Sequence, residues 1–154
     1  MRQNLKYIHE NYSKHPAFYK RKHRVTVGDR RPRRLPVFYL YDSYRVTSEQ
    51  WRRLLGPHGD LSVRGTELDA AFLALLVDFK HRADIKRAQF DGFFTYFAAN
   101  GFSHGSSWKN WNSLASFARK NSLLFVPSVG PGYVGKARLS EVIGDFLSLI
   151  SSPC

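Results

Sequence analysis

The sequence predicts an α/β fold in which short parallel strands alternate with helices. Residues 71–77 are apolar at every position, which is typical of a strand covered on both faces of its sheet. Strand-like segments begin near residues 36, 71, 92 and 123, and helical patterns separate them. Residues 90–102 and 123–133 each end in an aromatic residue beside a glycine turn. Four such βα steps are about half of what a closed eight-stranded barrel of about 250 residues requires.

The order of elements follows from turn signals and hydrophobic spacing. Thr47 and Gln50 form a capping box that opens a short helix, and Gly56 and Pro57 end it after Leu55. Strands are predicted over residues 35–41, 71–77, 92–97 and 123–129. Helical segments are predicted over residues 4–22 with a break near Pro16, over 80–89, from about 106 onward, and over 135–150, where the pattern is amphipathic.

The positive charge of the chain is concentrated in one segment. The formal net charge is +12, and residues 20–34 contain eight Lys or Arg side chains against one acid, Asp29. Gly28 and Pro32 within this segment favour an exposed loop. A run of this kind can also bind phosphates, so a polyanion-binding or nucleic-acid-binding patch is the alternative.

Several classes of protein are excluded by motifs that the sequence lacks. Its single cysteine is Cys154, so there is no internal disulfide and no cysteine-based metal site. There is no apolar run long enough to span a membrane and no secretory h-region after Met1. There is also no phosphate-binding glycine loop, nucleophile elbow or zinc-protease motif. We therefore expect neither a cofactor nor a metal.

Polar and aromatic side chains follow the predicted strands at the points where they end. In parallel α/β folds these carboxyl ends are where ligands bind. Tyrosines can stack on sugar rings, and two carboxylates at strand ends can form an acid and base pair across a glycosidic bond. Aspartates after strands are also frequent turn formers and helix caps, and a lone loop histidine such as His104 is usually incidental. The candidates are Tyr41, Asp42, Tyr44, Asp78, Tyr96 and Tyr133.

Four segments together resemble glycoside hydrolase family 99. They are Phe-Tyr-Leu-Tyr-Asp-Ser-Tyr at 38–44, Phe-Asp-Gly-Phe-Phe-Thr-Tyr-Phe-Ala-Ala-Asn-Gly-Phe at 90–102, Gly-Ser-Ser-Trp at 105–108, and Val-Pro-Ser-Val-Gly-Pro-Gly-Tyr at 126–133. The similarity runs from about residue 15 to residue 134. It implies an α/β fold that is a partial (β/α)8 TIM barrel of about four βα units, followed by an unrelated C-terminal helix.

The resemblance also implies a function and a set of site residues. Family members are Golgi enzymes, held by an N-terminal membrane anchor, that retain configuration when they cleave an internal α-1,2-mannosidic bond in glucosylated high-mannose N-glycans. The implied partner is such a glycan, with no nucleic acid. Tyr96 corresponds to a residue that lines a mannose subsite, and Asp42 and Tyr44 lie in a matching strand-end segment. Tyr133 closes the matching glycine-proline turn.

The sequence departs from the family pattern after Val134. The family places its two catalytic carboxylates in an Asn-Glu-Trp-His-Glu-Gly segment, and this sequence contains no such segment. We therefore expect residues 1–134 to be a partial barrel domain with a basic loop at 20–34, and residues 135–154 to be a divergent tail of a truncated or alternatively spliced form. The expected chain is catalytically inactive, with no catalytic residue and no membrane segment. The alternatives are a carbohydrate-binding remnant and a basic polyanion-binding protein.

Overall fold

The computed structural model of the 154-residue chain describes residues 1–24, 32–96 and 100–129. Five strands form one sheet in the order β1-β2-β3-β4-β5. The strands are β1 (Lys20–Arg24), β2 (Pro32–Leu40), β3 (Ala71–Leu76), β4 (Gly92–Thr95) and β5 (Leu124–Val126). The helices are α1 (Arg2–Tyr12), α2 (Ser48–Leu55), α3 (His81–Ala88) and α4 (Trp111–Lys120), with short 3-10 helices at Ser43–Arg45 and Trp108–Asn110.

Strands β2 to β5 are parallel, and each pairs with the next strand along the chain. Helices α2, α3 and α4 connect them, so the chain contains successive βαβ units, as the sequence predicts. The capping box is also confirmed, because the Thr47 hydroxyl accepts from Gln50 N while the Gln50 side chain accepts from Thr47 N. The C-terminal segment predicted to be helical, residues 135–150, lies outside the described residues.

The two faces of the sheet have different surroundings because side chains alternate along each strand. Phe72, Ala74 and Leu76 of β3 and Phe93 of β4 belong to one buried cluster with apolar residues of the helices. This is the outer, helix-covered face. Leu73 and Leu75 alternate with them and lie on the inner face. The core is therefore the layer between the sheet and its helices.

The basic segment differs from the predicted loop. Lys20–Arg24 forms strand β1, which pairs antiparallel with the first half of β2 and brings Lys22 opposite Arg34. The sequence shows no apolar alternation there because β1 is an edge strand whose described side chains, at residues 20–22, are partly or fully exposed. Pro32 is tolerated as the first residue of a strand. Residues 25–31, between the two strands, lie outside the described residues.

A buried ion cluster fixes the entry ends of β3 and β4. The Arg64 guanidinium, whose side chain is 6% exposed, lies 3.3 Å from the Asp69 carboxylate and 2.9 Å from that of Asp91. It also donates to the carbonyl oxygens of Leu55, Ala70 and Gln89. Asp91 accepts in addition from Phe72 N at 2.8 Å. Asp91 therefore has a structural role, and the cluster ties the helix-side loops to the sheet.

Candidate functional site

Aromatic rings from the carboxyl ends of β2 and β4, and from the segments that follow these strands, meet on the inner face of the sheet. The Tyr39 and Phe94 ring centroids are 5.2 Å apart, and those of Tyr41 and Tyr96 are 6.2 Å apart. Phe102 extends the row, with its ring 5.8 Å from that of Tyr96. Tyr39, Tyr41 and Phe102 are each more than half exposed. We call these five residues the aromatic cleft; it offers exposed ring faces to a ligand.

The hydroxyl groups of Tyr41 and Tyr96 interact with each other. A hydrogen bond with Tyr96 raises the pKa of the Tyr41 phenol above its ordinary value, with smaller contributions from desolvation and from Asp42. Tyr41 therefore stays protonated at neutral pH and can serve as a hydrogen-bond donor. Rings that carry hydroxyls suit a ligand with both apolar faces and polar edges, and a pyranose has this character.

The two strand-end aspartates are engaged in local turns. Asp42 has a left-handed backbone, with φ of 51°, and its carboxylate accepts from the Tyr44 hydroxyl at 2.9 Å and pairs with Arg45 Nε at 2.8 Å. The Asp78 carboxylate accepts from Lys80 N at 3.1 Å, and this bond lowers the pKa of Asp78. A general acid needs a raised pKa. The turn-forming alternative is therefore favoured over an acid and base pair.

Tyr44 points away from the aromatic cleft, toward helix α3. Its ring stacks on the His81 imidazole with centroids 4.9 Å apart and planes 12° from parallel. The hydrogen bond to Asp42 raises the pKa of the Tyr44 hydroxyl. Of the four predicted binding residues, Tyr96 lies in the cleft, Asp42 and Tyr44 form a local pair beside it, and Tyr133 lies outside the described residues.

The loop after β4 supports the cleft from one side. Gly105 N donates to Val77 O at 3.1 Å, and Trp111 Nε1 donates to Gly105 O at 2.9 Å. These bonds hold residues 103–106 against the end of β3. Asn110 Nδ2 donates to His104 O at 3.0 Å, which holds the His104 backbone in this loop. Tyr39, Phe94 and Phe102 were not singled out from the sequence, although Tyr39–Tyr41 and Phe94–Tyr96 both show the spacing of two that places side chains on one face.

His81 has a tightly defined environment at the start of α3. It is 7% exposed, and its Nδ1 accepts from both Val77 N and Asp78 N at 3.3 Å. Burial lowers the pKa of His81 below its usual value, partly opposed by the charge of Asp78. Protonation would place a proton on Nδ1 and break both bonds. The β3–α3 loop that carries Asp78 therefore depends on neutral His81.

Acidification is expected to lower the free energy of unfolding of the wild-type chain more than that of a His81→Phe variant. The folded pKa of His81 is depressed, so the unfolded chain binds the proton more readily. The contribution of neutral His81 to the free energy of unfolding is complete above about pH 6.5, the pKa of an unfolded histidine. It is lost as the pH falls through and below that value, by at most about 1.4 kcal/mol per pH unit. Urea unfolding between about pH 8 and about pH 5 measures the difference. His104, whose pKa is also lowered by burial, is retained in both proteins. Equal acid sensitivity in the two proteins would refute the prediction.

These features define a class of protein: a (β/α) barrel segment with an aromatic cleft at the carboxyl edge of its strands, where such barrels bind their ligands. Residues 1–140 match the model of glycosyl hydrolase family 99. The chain belongs to that family.

The relatives are named for one activity. The chain is 52% identical over 134 residues to the glycoprotein endo-alpha-1,2-mannosidase of Rattus norvegicus, a match that covers 87% of this chain and 28% of the relative. It is 49% identical over 131 residues to the human glycoprotein endo-alpha-1,2-mannosidase-like protein, covering 85% of this chain and 27% of that one. The chain therefore spans a little over a quarter of the length of the curated relatives it matches.

A solved structure shares the fold. The GH99 endo-alpha-mannosidase from Bacteroides thetaiotaomicron superposes with a TM-score of 0.76 at 41% identity, over 86% of this chain and 36% of that one. This likeness confirms the predicted partial TIM barrel.

In the part of the chain that the structure describes, no helix is long and apolar enough to cross a membrane. No group of three or more potential metal ligands occurs in the same residues.

Proposed function

We propose that this chain binds mannose-containing glycans through the aromatic cleft. The observation that carries the proposal is a row of rings at the carboxyl edge of a barrel segment, in which partly buried Tyr96 lies between exposed Tyr41 and exposed Phe102. The relatives' names supply the class of sugar. Within that class we propose glucosylated high-mannose N-glycans, as the family resemblance implies. In this proposal the rings stack on the apolar faces of a mannose residue, while the hydroxyls of Tyr41 and Tyr96 bind its polar edge.

We further propose that the chain does not hydrolyse the glycan by itself. Retaining cleavage needs two carboxyl groups about 5 Å apart, one of them protonated. The family's carboxylate segment is absent from the 154 residues, and the carboxylates of Asp42 and Asp78 are held in local turns. Incubation with a glucosylated α-1,2-mannoside distinguishes binding without cleavage from hydrolysis. We expect binding without release of a cleaved sugar, and turnover would contradict this part of the proposal.

Substitution of Tyr96 tests the cleft. We expect Tyr96→Ala to weaken binding of an α-1,2-linked mannobiose by about two- to tenfold, because an aromatic stacking contact contributes about 0.5–1.5 kcal/mol. Isothermal titration calorimetry measures the dissociation constant. Tyr12→Ala is the matched control, since Tyr12 is an exposed tyrosine of α1 that contacts another ring, that of Tyr7. Equal affinity of wild type and Tyr96→Ala would refute the proposed site.

One observation favours a second candidate function, binding of polyanions by the β1–β2 hairpin. Lys22 lies directly opposite Arg34, and like charges in that register are unfavourable unless a counter-ion lies near them. Binding to heparin that weakens steeply with salt and is lost in a Lys22→Gln, Arg34→Gln variant would support it. Mannobiose binding is expected to be insensitive to salt, so the two functions are separable.

A further inference from the structure

A cavity lies between helices α2 and α3, and Tyr44 is one of its lining residues. Its volume is about 310 Å³, enough for one six-membered ring with a substituent. The apolar part of its lining is formed by Trp51, Ile85, Ala88 and Phe90. Its polar lining includes Thr47, Glu49, His81, Asp84 and Arg87.

His81 presents a hydrogen-bond donor to this cavity. Because its Nδ1 accepts two backbone N–H groups, the proton of the neutral ring is on Nε2. Nε2 makes no hydrogen bond with any residue in the described ranges 1–24, 32–96 and 100–129. Stacking on Tyr44 fixes the plane of the ring. The His81 side chain lines the cavity and the residue is 7% exposed. The cavity therefore offers an oriented donor that has no acceptor among the described residues.

The charges at the cavity select against anions. Arg87 pairs with Asp84 at 2.6 Å, so its positive charge is compensated. Glu49 accepts from the Ser48 hydroxyl at 3.2 Å and adds a further negative charge. A negatively charged ligand would be repelled, whereas an uncharged ligand with one acceptor would satisfy His81.

We propose that the α2–α3 cavity is a binding site for an uncharged aromatic ligand whose carbonyl or hydroxyl oxygen accepts a hydrogen bond from His81 Nε2. The ring of the ligand packs against Trp51, Ile85 and Phe90. This site is separate from the aromatic cleft and does not depend on the proposed glycan binding.

Benzamide and benzoate test the proposal, because they have nearly the same shape and differ in charge. We expect benzamide to shift the imidazole signals of His81 and the indole N–H signal of Trp51 in NMR spectra of the full chain, with saturation in the millimolar range. Benzoate is expected to bind at least fivefold more weakly. No shift at saturating benzamide, or equal binding of benzoate, would overturn the proposal.

Two variants assign the contacts. His81→Phe keeps a ring but removes the donor, and we expect benzamide to bind at least fivefold more weakly. Because His81 also accepts backbone bonds, a second variant is needed that leaves them intact. Asp84→Asn removes one negative charge from the cavity lining and leaves the positive charge of Arg87 uncompensated. Benzoate should therefore bind at least threefold more tightly, while the affinity for benzamide is unchanged. Unaltered benzoate binding in Asp84→Asn would count against the charge argument and the site.

Discussion

Arg64→Met is expected to lower the free energy of unfolding by about 3–5 kcal/mol, since it would leave two buried carboxylates without their cation. Asp69 and Asp91 are 2% and 8% exposed, so solvent cannot replace the guanidinium. The substitution also removes the donors to three backbone carbonyl oxygens. Methionine keeps much of the side-chain volume. The decrease in the free energy of unfolding therefore reflects the lost charge and hydrogen bonds more than lost packing. Urea denaturation followed by circular dichroism measures it.

Arg53→Met is the matched control for this prediction. Arg53 also pairs with an aspartate, Asp60, at 2.6 Å, but both side chains are more than half exposed. Exposed ion pairs contribute between about 0 and 1 kcal/mol, so we expect a small change. If Arg53→Met and Arg64→Met destabilise the chain equally, burial of the Arg64 cluster is not what makes it important.

Gly105→Ala is expected to destabilise the chain by about 3 kcal/mol. A Cβ atom at this position would overlap the carbonyl oxygen of Leu76, which is part of β3 and cannot yield easily. The loop would have to move away from the strand and would lose the bond between Gly105 N and Val77 O. Because Phe102 is in the same loop, we also expect weaker mannobiose binding. Thermal unfolding and calorimetry measure the two effects.

Gly101→Ala separates steric overlap from backbone strain in the same loop. Gly101 has φ of 87°, and a Cβ there would meet no atom within 4 Å. Its replacement by alanine places a residue with a Cβ atom in the left-handed conformation, and this strain alone costs about 1 kcal/mol. A larger loss for Gly101→Ala than for Gly105→Ala would show that contact with β3 is not the constraint.

Elements with strong local signals could be predicted from the sequence. The all-apolar run of β3 is buried at every position, and the side chains of Thr47 and Gln50 leave few alternatives to a helix start. Parallel order follows because each helix must return the chain to the same edge of the sheet. The sequence resemblance supplied the barrel, and the likeness to a solved structure confirmed it.

Features that depend on distant partners could not be predicted. Strand β1 has no apolar face, and its pairing with β2 becomes evident only in three dimensions. The direction of Tyr44 is set by the turn at Asp42, whose left-handed backbone is uncommon for a residue other than glycine. The two backbone hydrogen bonds that His81 Nδ1 accepts join the end of β3 to the start of α3, and the spacing of residues in the sequence does not indicate them.

Strand β2 pairs with β1 along its first half and with β3 along its second half, and this arrangement has a consequence for self-association. β1 covers residues 32–36 on one side, whereas β3 pairs with residues 37–40 on the other. Within the described residues, the backbone of 37–40 opposite β3 and the outer side of β5 have no pairing strand. Where these two edges are uncovered they can accept added strands, and uncovered edges promote aggregation. Light scattering at rising protein concentration should therefore detect larger particles, and short strand-forming peptides that mimic a neighbour should suppress them.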